Sequence, residues 1–313
     1  MKRAAFTIDV DSIRHYYDIH GLPQPESGVD PIYTVAIPRF WDLIKEFGIP
    51  ATLFLIGKDA PQYAEYFSPV AETHSEVASH SFAHDYRICE QSSESILADL
   101  KQADQALVPL NNHQPISGFR APGYNINPKL LNAVQQMGYT YDSSVLPSPL
   151  YFAARWSIIQ FYKMRGRQSR SLSGQMRQFT RGLAPYRFDP SEPFKPNSRG
   201  ALVELPMACS PLARVPLIGT SLAVLPSKVQ SAVLSYATRA LPFFNFEMHA
   251  IDLLDESDHP CLKELAQFQP DLRVSFQQKQ HNLRHLLVKL CASFKVETLK
   301  SVALNSIRFE NKV

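Results

Sequence analysis

The chain has 313 residues, of which 45% are apolar and 19% charged, and its net charge is +3. That length and apolar content fit one large α/β domain or two small ones and exclude a wholly disordered chain. The small net charge gives no reason to expect a nucleic-acid partner, yet it hides an asymmetry: residues 143–246 hold thirteen Lys/Arg against three acids, a balance of +10, and the rest carries −7.

Residues 4–9 (AAFTID) read as a buried strand. Pro38 sits at a first helical position, followed by Phe40, Leu43, Ile44 and Phe47 at i, i+3, i+4, i+7 and by a stop at Gly48. Residues 51–57 (ATLFLIG) form the next strand, and a helical stripe runs through Ile96, Leu97, Leu100, Ala103 and Leu107. Asn127 caps a helix with Pro128 in its first turn and Gly138 at its end. Strand-like segments then follow at 139–144, 202–206, 243–249 and 295–299, with a helix from Lys228 and another at 283–294. The alternation predicts a parallel sheet with helices outside, in which reactive side chains gather at the C-terminal ends of strands.

Five segments sit at such ends. Asp9 and Asp11, two apart, point to one side; they can share a site or simply start a turn. His80 and His84, at i and i+4 in EVASHSFAH, can face one side of a helical turn and, with Asp11, bind a metal that keeps open positions. By itself an HxxxH is a weak signal in a chain with ten histidines. Arg120, in GFRAPGY, needs a carboxylate partner if buried, and Asp9 is the candidate; a solvated turn is the other reading. Asp142 ends the segment YTYD, and His249 ends the apolar strand FFNFEMH. Segment 13–33, with His15, Tyr16, Tyr17 and His20, reads as a surface loop that can lid the site.

Together these segments resemble, in order, the motifs of the polysaccharide deacetylase family, carbohydrate esterase family 4. The resemblance covers residues 4–145 well, is weak through the middle, and returns at 202–206 and 246–249 and through the final helix and strand. It implies an α/β fold, a distorted (β/α)7-type barrel, here one domain over 1–313 with a basic, apolar insertion within 145–246. It also implies Asp9 as general base, Asp11, His80 and His84 as metal ligands, and Arg120 as the residue orienting Asp9. Asp142 would tune His249, the general acid, and the Tyr124 backbone N–H would donate to the oxyanion. The first motif is Asp-x-Asp here, with Val10 between the acids. The implied cofactor is a divalent metal, Zn²⁺ first, with Co²⁺, Ni²⁺ or Mn²⁺ as substitutes.

The resemblance therefore implies a metal-dependent hydrolase that removes an acetyl or formyl group from an amino sugar. Residues 143–188 contain no acid but hold Arg155, Lys163, Arg165, Arg167, Arg170, Arg177, Arg181 and Arg187, interleaved with aromatics. Such a segment suits docking on an anionic membrane surface through 150–187, though an ordinary insertion packed on the barrel is the plainer account. No nucleic-acid motif accompanies it. Four scattered cysteines, no CxxC and the opening MKRAAFTIDVDS, which lacks a secretory-signal pattern, predict a cytoplasmic protein, peripheral on the inner membrane face. Those readings favour a lipid-linked amino sugar. A soluble deacetylase of amino-sugar oligosaccharides or peptidoglycan fragments is the alternative, and a non-catalytic membrane-binding protein keeping the fold is the reading of another class.

Overall fold

The computed structural model describes residues 2–25, 28–164, 178, 182–223 and 225–310. Among these residues nine strands make one sheet: β1 Lys2–Val10, β2 Thr52–Leu55, β3 Glu76–Ser79, β4 Gly118–Phe119, β5 Tyr141–Asp142, β6 Tyr186–Phe188, β7 Leu202–Glu204, β8 Phe243–His249 and β9 Phe294–Val296. Their order is β6-β7-β5-β4-β3-β2-β1-β8, with β9 paired to the start of β1. Every pairing is parallel except that of β6 with β7. The sheet curls into a distorted (β/α)7-type barrel. Between β7 and β8 its wall is completed by irregular chain, where the Ala208 amide donates to the Asn245 carbonyl at 2.9 Å.

Side-chain alternation sorts β1 and β8 into an outer and an inner face. Ala4, Phe6, Ile8 and Val10 of β1 join Phe244, Phe246 and Met248 of β8 in the core under the outer helices, where the Phe6 and Phe246 rings stack 5.3 Å apart. The alternate positions point inward. Ala5 and Phe243 lie in a small apolar plug at the bottom of the barrel. Leu299, Val302 and Ala303, from the helix Leu299–Glu310, complete that plug. Above it the inward positions turn polar: Thr7 and Asp9 from β1, Asn245, Glu247 and His249 from β8. Apolar packing thus holds the bottom and outside of the barrel, and the chemistry sits at the C-terminal ends of the strands.

Outer helices follow the predicted stripes closely: Ile37–Phe47 ends at Gly48 in the left-handed region, and Asn127 caps Pro128–Gln136 by accepting from the Leu130 amide. Three expectations change. Residues 13–20 form the helix Ile13–His20, because Asp30 accepts from the Ser12 hydroxyl and the Ile13 amide and ties its first turn down. The segment 295–299 is strand only to Val296, and Leu299 opens the closing helix. The third concerns His80 and His84, which lie in a loop and not on a helix. In the middle segment, Pro149–Met164 is helical and presents Leu150 and Trp156 to solvent, at 57% and 54% exposure. Arg155 donates to the Gly123 carbonyl and Arg187 to that of Gly200, so these two cations serve the fold. Arg165, Arg167, Arg170, Arg177 and Arg181 lie outside the described residues, as does the Lys163 side chain. No helix among the described residues is long and apolar enough to cross a membrane.

Candidate metal centre and active site

The register of the ladder builds the centre of the site. Asp9 pairs with His249, and Thr7 with Glu247, across the parallel strands β1 and β8. Because all four occupy inward positions, strand pairing alone puts a carboxylate beside an imidazole. On the other side of β1, the His80 amide donates to Leu55 O at 2.9 Å and the Arg120 amide to Ser79 O at 3.0 Å. These ladder extensions carry His80 and Arg120 to the same rim.

His80 and His84 converge by a tight loop. Ser81 and His84 both take positive φ, 67° and 53°. The Ser81 hydroxyl accepts from the His84 amide at 3.0 Å and holds that conformation. His80 Nε2 and His84 Nε2 then lie 3.5 and 3.4 Å from Asp11 Oδ1. A tetrahedral ion with bonds of about 2.1 Å sets its ligands roughly 3.4 Å apart, so this donor set fits a divalent metal. The lone pairs fit as well. His80 Nδ1 lies 2.7 Å from the Arg120 carbonyl, which fixes the tautomer that leaves Nε2 as a donor to a metal. His84 Nε2 and Asp11 Oδ1 are buried with no hydrogen-bond partner. Burial holds the His84 imidazole well below the usual histidine range, with His15, His80, His249 and Arg14 adding to the effect, so it stays neutral as a ligand must.

Asp9 is fully buried, and Arg120 donates to its Oδ1 at 2.5 Å. The guanidinium is itself fixed: Nε donates to the Ser143 carbonyl, Nη2 to the Ser143 and Thr7 hydroxyls, and the group lies 4.0 Å over the Phe54 ring. Burial alone would disfavour the charge of Arg120; Asp9 and Glu247 outweigh it and raise its pKa. Asp9 Oδ2 has no hydrogen-bond partner and lies 4.0 Å from His80 Nε2, facing the metal-binding group.

His249 points Nε2 to within 4.0 Å of Asp11 Oδ2 and Nδ1 to 2.9 Å from Glu247 Oε1. Burial pushes this imidazole down, but Glu247, Asp11 and Asp9 overcome it and raise its pKa well above the usual value. Glu247 was not anticipated. The signal was available in FFNFEMH, where period two puts Asn245, Glu247 and His249 on one face of an otherwise apolar strand.

Two expectations are corrected. Asp142 does not reach His249: its carboxylate accepts from the Ser144 hydroxyl at 2.8 Å and the Ser144 amide at 3.2 Å, and it shares a hydrogen bond with Glu204. Burial and the Asp142 charge push the Glu204 carboxyl well up. The Tyr124 amide does not face an oxyanion either, since it donates to Ala121 O at 2.9 Å within its own turn. That turn is fixed by Gly123 at φ +63°, where a Cβ would come within 2.7 Å of the Tyr86 ring and 2.8 Å of Arg155.

A cavity of about 350 Å³ opens over the site. Asp9, Asp11, His80 and His249 line it, as do the apolar Ile19, Tyr151, Ile159, Ile251 and Phe268 and the polar Arg155, Thr220, Gln269 and Asp271. Helix Ile13–His20 therefore does border the site, through Tyr16, Ile19 and His20, while His15 packs its ring 4.3 Å from that of His84.

Residues 28–141 match the family model for polysaccharide deacetylases, a stretch that includes His80, His84, Arg120 and Tyr124 but not Asp9, Asp11, Asp142 or His249. A peptidoglycan deacetylase of Helicobacter pylori is 24% identical over 165 residues, which are 50% of this chain and 56% of that protein. The match thus spans about half the length of that relative. Among solved structures, one from Mycobacterium smegmatis assigned by name to the polysaccharide deacetylases aligns with 99% of this chain and 91% of its own, at a TM-score of 0.61 and 16% identity. The CE4 domain of a multidomain xylanase from the hindgut metagenome of Trinervitermes trinervoides aligns with 97% of this chain and 91% of its own, at a TM-score of 0.50 and 13% identity. Residues 28–141 thus match the polysaccharide deacetylase model, and the chain as a whole shares the fold of these solved structures.

Proposed function

We propose that this protein is a metal-dependent hydrolase that removes an N-acyl group, acetyl or formyl, from an amino sugar. One observation carries the reading: a fitted Asp11–His80–His84 donor set lies within 4.0 Å of both a buried carboxylate, Asp9, and an imidazole, His249. Asp11, His80 and His84 would hold the ion, for which two imidazoles and a carboxylate favour Zn²⁺ over harder cations. When bound, that ion supplies a Lewis acid for the acyl oxygen and a water of lowered pKa.

The chain's own groups do the proton work. Asp9 takes the proton of the attacking water on Oδ2, the oxygen left without a partner, while Arg120 anchors Oδ1. An amine anion is too basic to leave, so His249 gives its Nε2 proton to the amide nitrogen as the C–N bond breaks. One proton is taken and one is given, and the products are a carboxylic acid and a free amino sugar.

The apolar cavity wall of Ile19, Tyr151, Ile159, Ile251 and Phe268 favours an amino sugar on an apolar carrier, as in a lipid-linked sugar. Exposed Leu150 and Trp156 on the adjoining helix support a membrane surface as the place of encounter. A second reading, a deacetylase of soluble oligosaccharides or peptidoglycan fragments, is favoured by the name of the H. pylori relative. The test is metal analysis of the purified protein together with mass spectrometry of lipid-linked and soluble N-acetyl and N-formyl amino sugars. The proposal expects bound metal and loss of the acyl mass from a lipid-linked substrate. Conversion of soluble oligosaccharides alone would select the second reading, and metal-free protein that converts neither would remove both.

A further inference from the structure

We infer that Glu247, from β8 itself, is the positioning residue that sets the ring orientation and tautomer of His249, in place of Asp142. This rests on the proposed role of His249 as proton donor.

The geometry is specific. Glu247 and His249 are two apart on one strand, so both point into the barrel. Glu247 Oε1 lies 2.9 Å from His249 Nδ1. Glu247 is fully buried, neither of its carboxylate oxygens has a hydrogen-bond partner, and His249 Nδ1 is the charged group paired with Oε1. With Nδ1 held there, the ring's other nitrogen faces the metal-binding group, 4.0 Å from Asp11 Oδ2. At the end of β8 the His249 amide donates to Asp252 Oδ2 at 3.0 Å, half of a reciprocal capping contact with Asp252 that also involves the His249 side chain. Asp142, meanwhile, is held by Ser144 and Glu204. A carboxylate on Nδ1 determines which nitrogen delivers the proton, as in other acid–base histidines.

A positioned acid matters only when the leaving group needs a proton. The experiment compares two acyl substrates in the metal-loaded protein: N-acetylglucosamine tetramer, whose amine must be protonated, and p-nitrophenyl acetate, whose phenolate leaves unaided. Glu247→Gln, near-isosteric, and Glu247→Ala should each lower kcat on the tetramer by about ten-fold or more with little change in KM, while the ester rate and the metal content stay near those of the parent. Asp142→Asn should move both reactions together, as a packing change does. Histidine-selective nitrogen NMR supplies a readout that needs no substrate: the hydrogen-bonded Nδ1–H of His249 should be present in the parent and lost in Glu247→Ala. Equal loss on both substrates, loss of metal, unchanged amide turnover, or an unaltered Nδ1–H signal would overturn the inference. So would leaving-group selectivity that follows Asp142→Asn instead. Full amide turnover in His249→Ala would remove the acid role itself, whereas its loss there with Glu247→Ala unaffected would remove only the role of Glu247.

Discussion

Asp9 and His249 are register partners across the β1/β8 ladder, and both face the same metal-binding group. Neither depends on a mobile loop for its position. Under the proposed mechanism, base and acid are thus set by strand pairing, and each can be removed without dismantling the metal ligands.

Asp9→Asn should lower kcat by roughly 10²–10⁴-fold while leaving KM and metal content near normal, because an amide cannot accept the water's proton. Steady-state kinetics with metal analysis checks this. Retained turnover would assign the base elsewhere.

Arg120→Ala should be costly to the fold as well as to activity. It leaves the fully buried Asp9 carboxylate without its cation, and breaking such a pair costs about 3–5 kcal/mol. Denaturant titration should show the loss; a change under about 1 kcal/mol would mean that water reaches Asp9.

Asp11→Ala, His80→Ala and His84→Ala should each reduce metal occupancy, and a chelator should abolish acyl release that added Zn²⁺ restores. Elemental analysis after dialysis reads the outcome. The account fails here if all three variants retain a full complement of ion.

The pH profile follows from His249. Its pKa is raised by Glu247, Asp11 and Asp9 against the opposing effect of burial, so its acid form persists above the usual histidine range. Amide turnover should fall only as pH rises through that elevated value, and His249→Ala should abolish the alkaline limb. A limb at the ordinary histidine pKa would show that these carboxylates do not act on it.

Much of the site was legible in the sequence because strand ends and turn residues mark it. Asp9, Asp11, His80, His84, Arg120 and His249 all reach one rim as their spacing suggested. Asp142 and Tyr124 were different. Their places in the order of motifs say nothing about partners, and Ser144, Glu204 and Ala121 take up the groups concerned. The loop after β3 was read as a helical turn because i, i+4 spacing suits a helix; positive φ at Ser81 and His84 brings the rings together by another route. The barrel's bottom was also hidden. Leu299, Val302 and Ala303 look like any short apolar run until Ala5, Phe54 and Tyr141 are seen around them.

Substituting a charge into the apolar wall tests the carrier. Ile159→Asp should raise KM for a lipid-linked amino sugar about ten-fold or more and shift preference toward soluble oligosaccharide, since burying an unpaired charge against an apolar chain is unfavourable. An unchanged preference, measured by competition between the two substrates, would place the carrier outside this cavity.

The most direct measurement is acid and amine release by the metal-loaded protein from N-acyl amino sugars, followed together in one reaction. The account predicts one free amine for each acetate or formate released, with the rate abolished by a chelator and lowered at least about a hundred-fold by Asp9→Asn. Undiminished release after either change, or no amine from any N-acyl amino sugar, would contradict it.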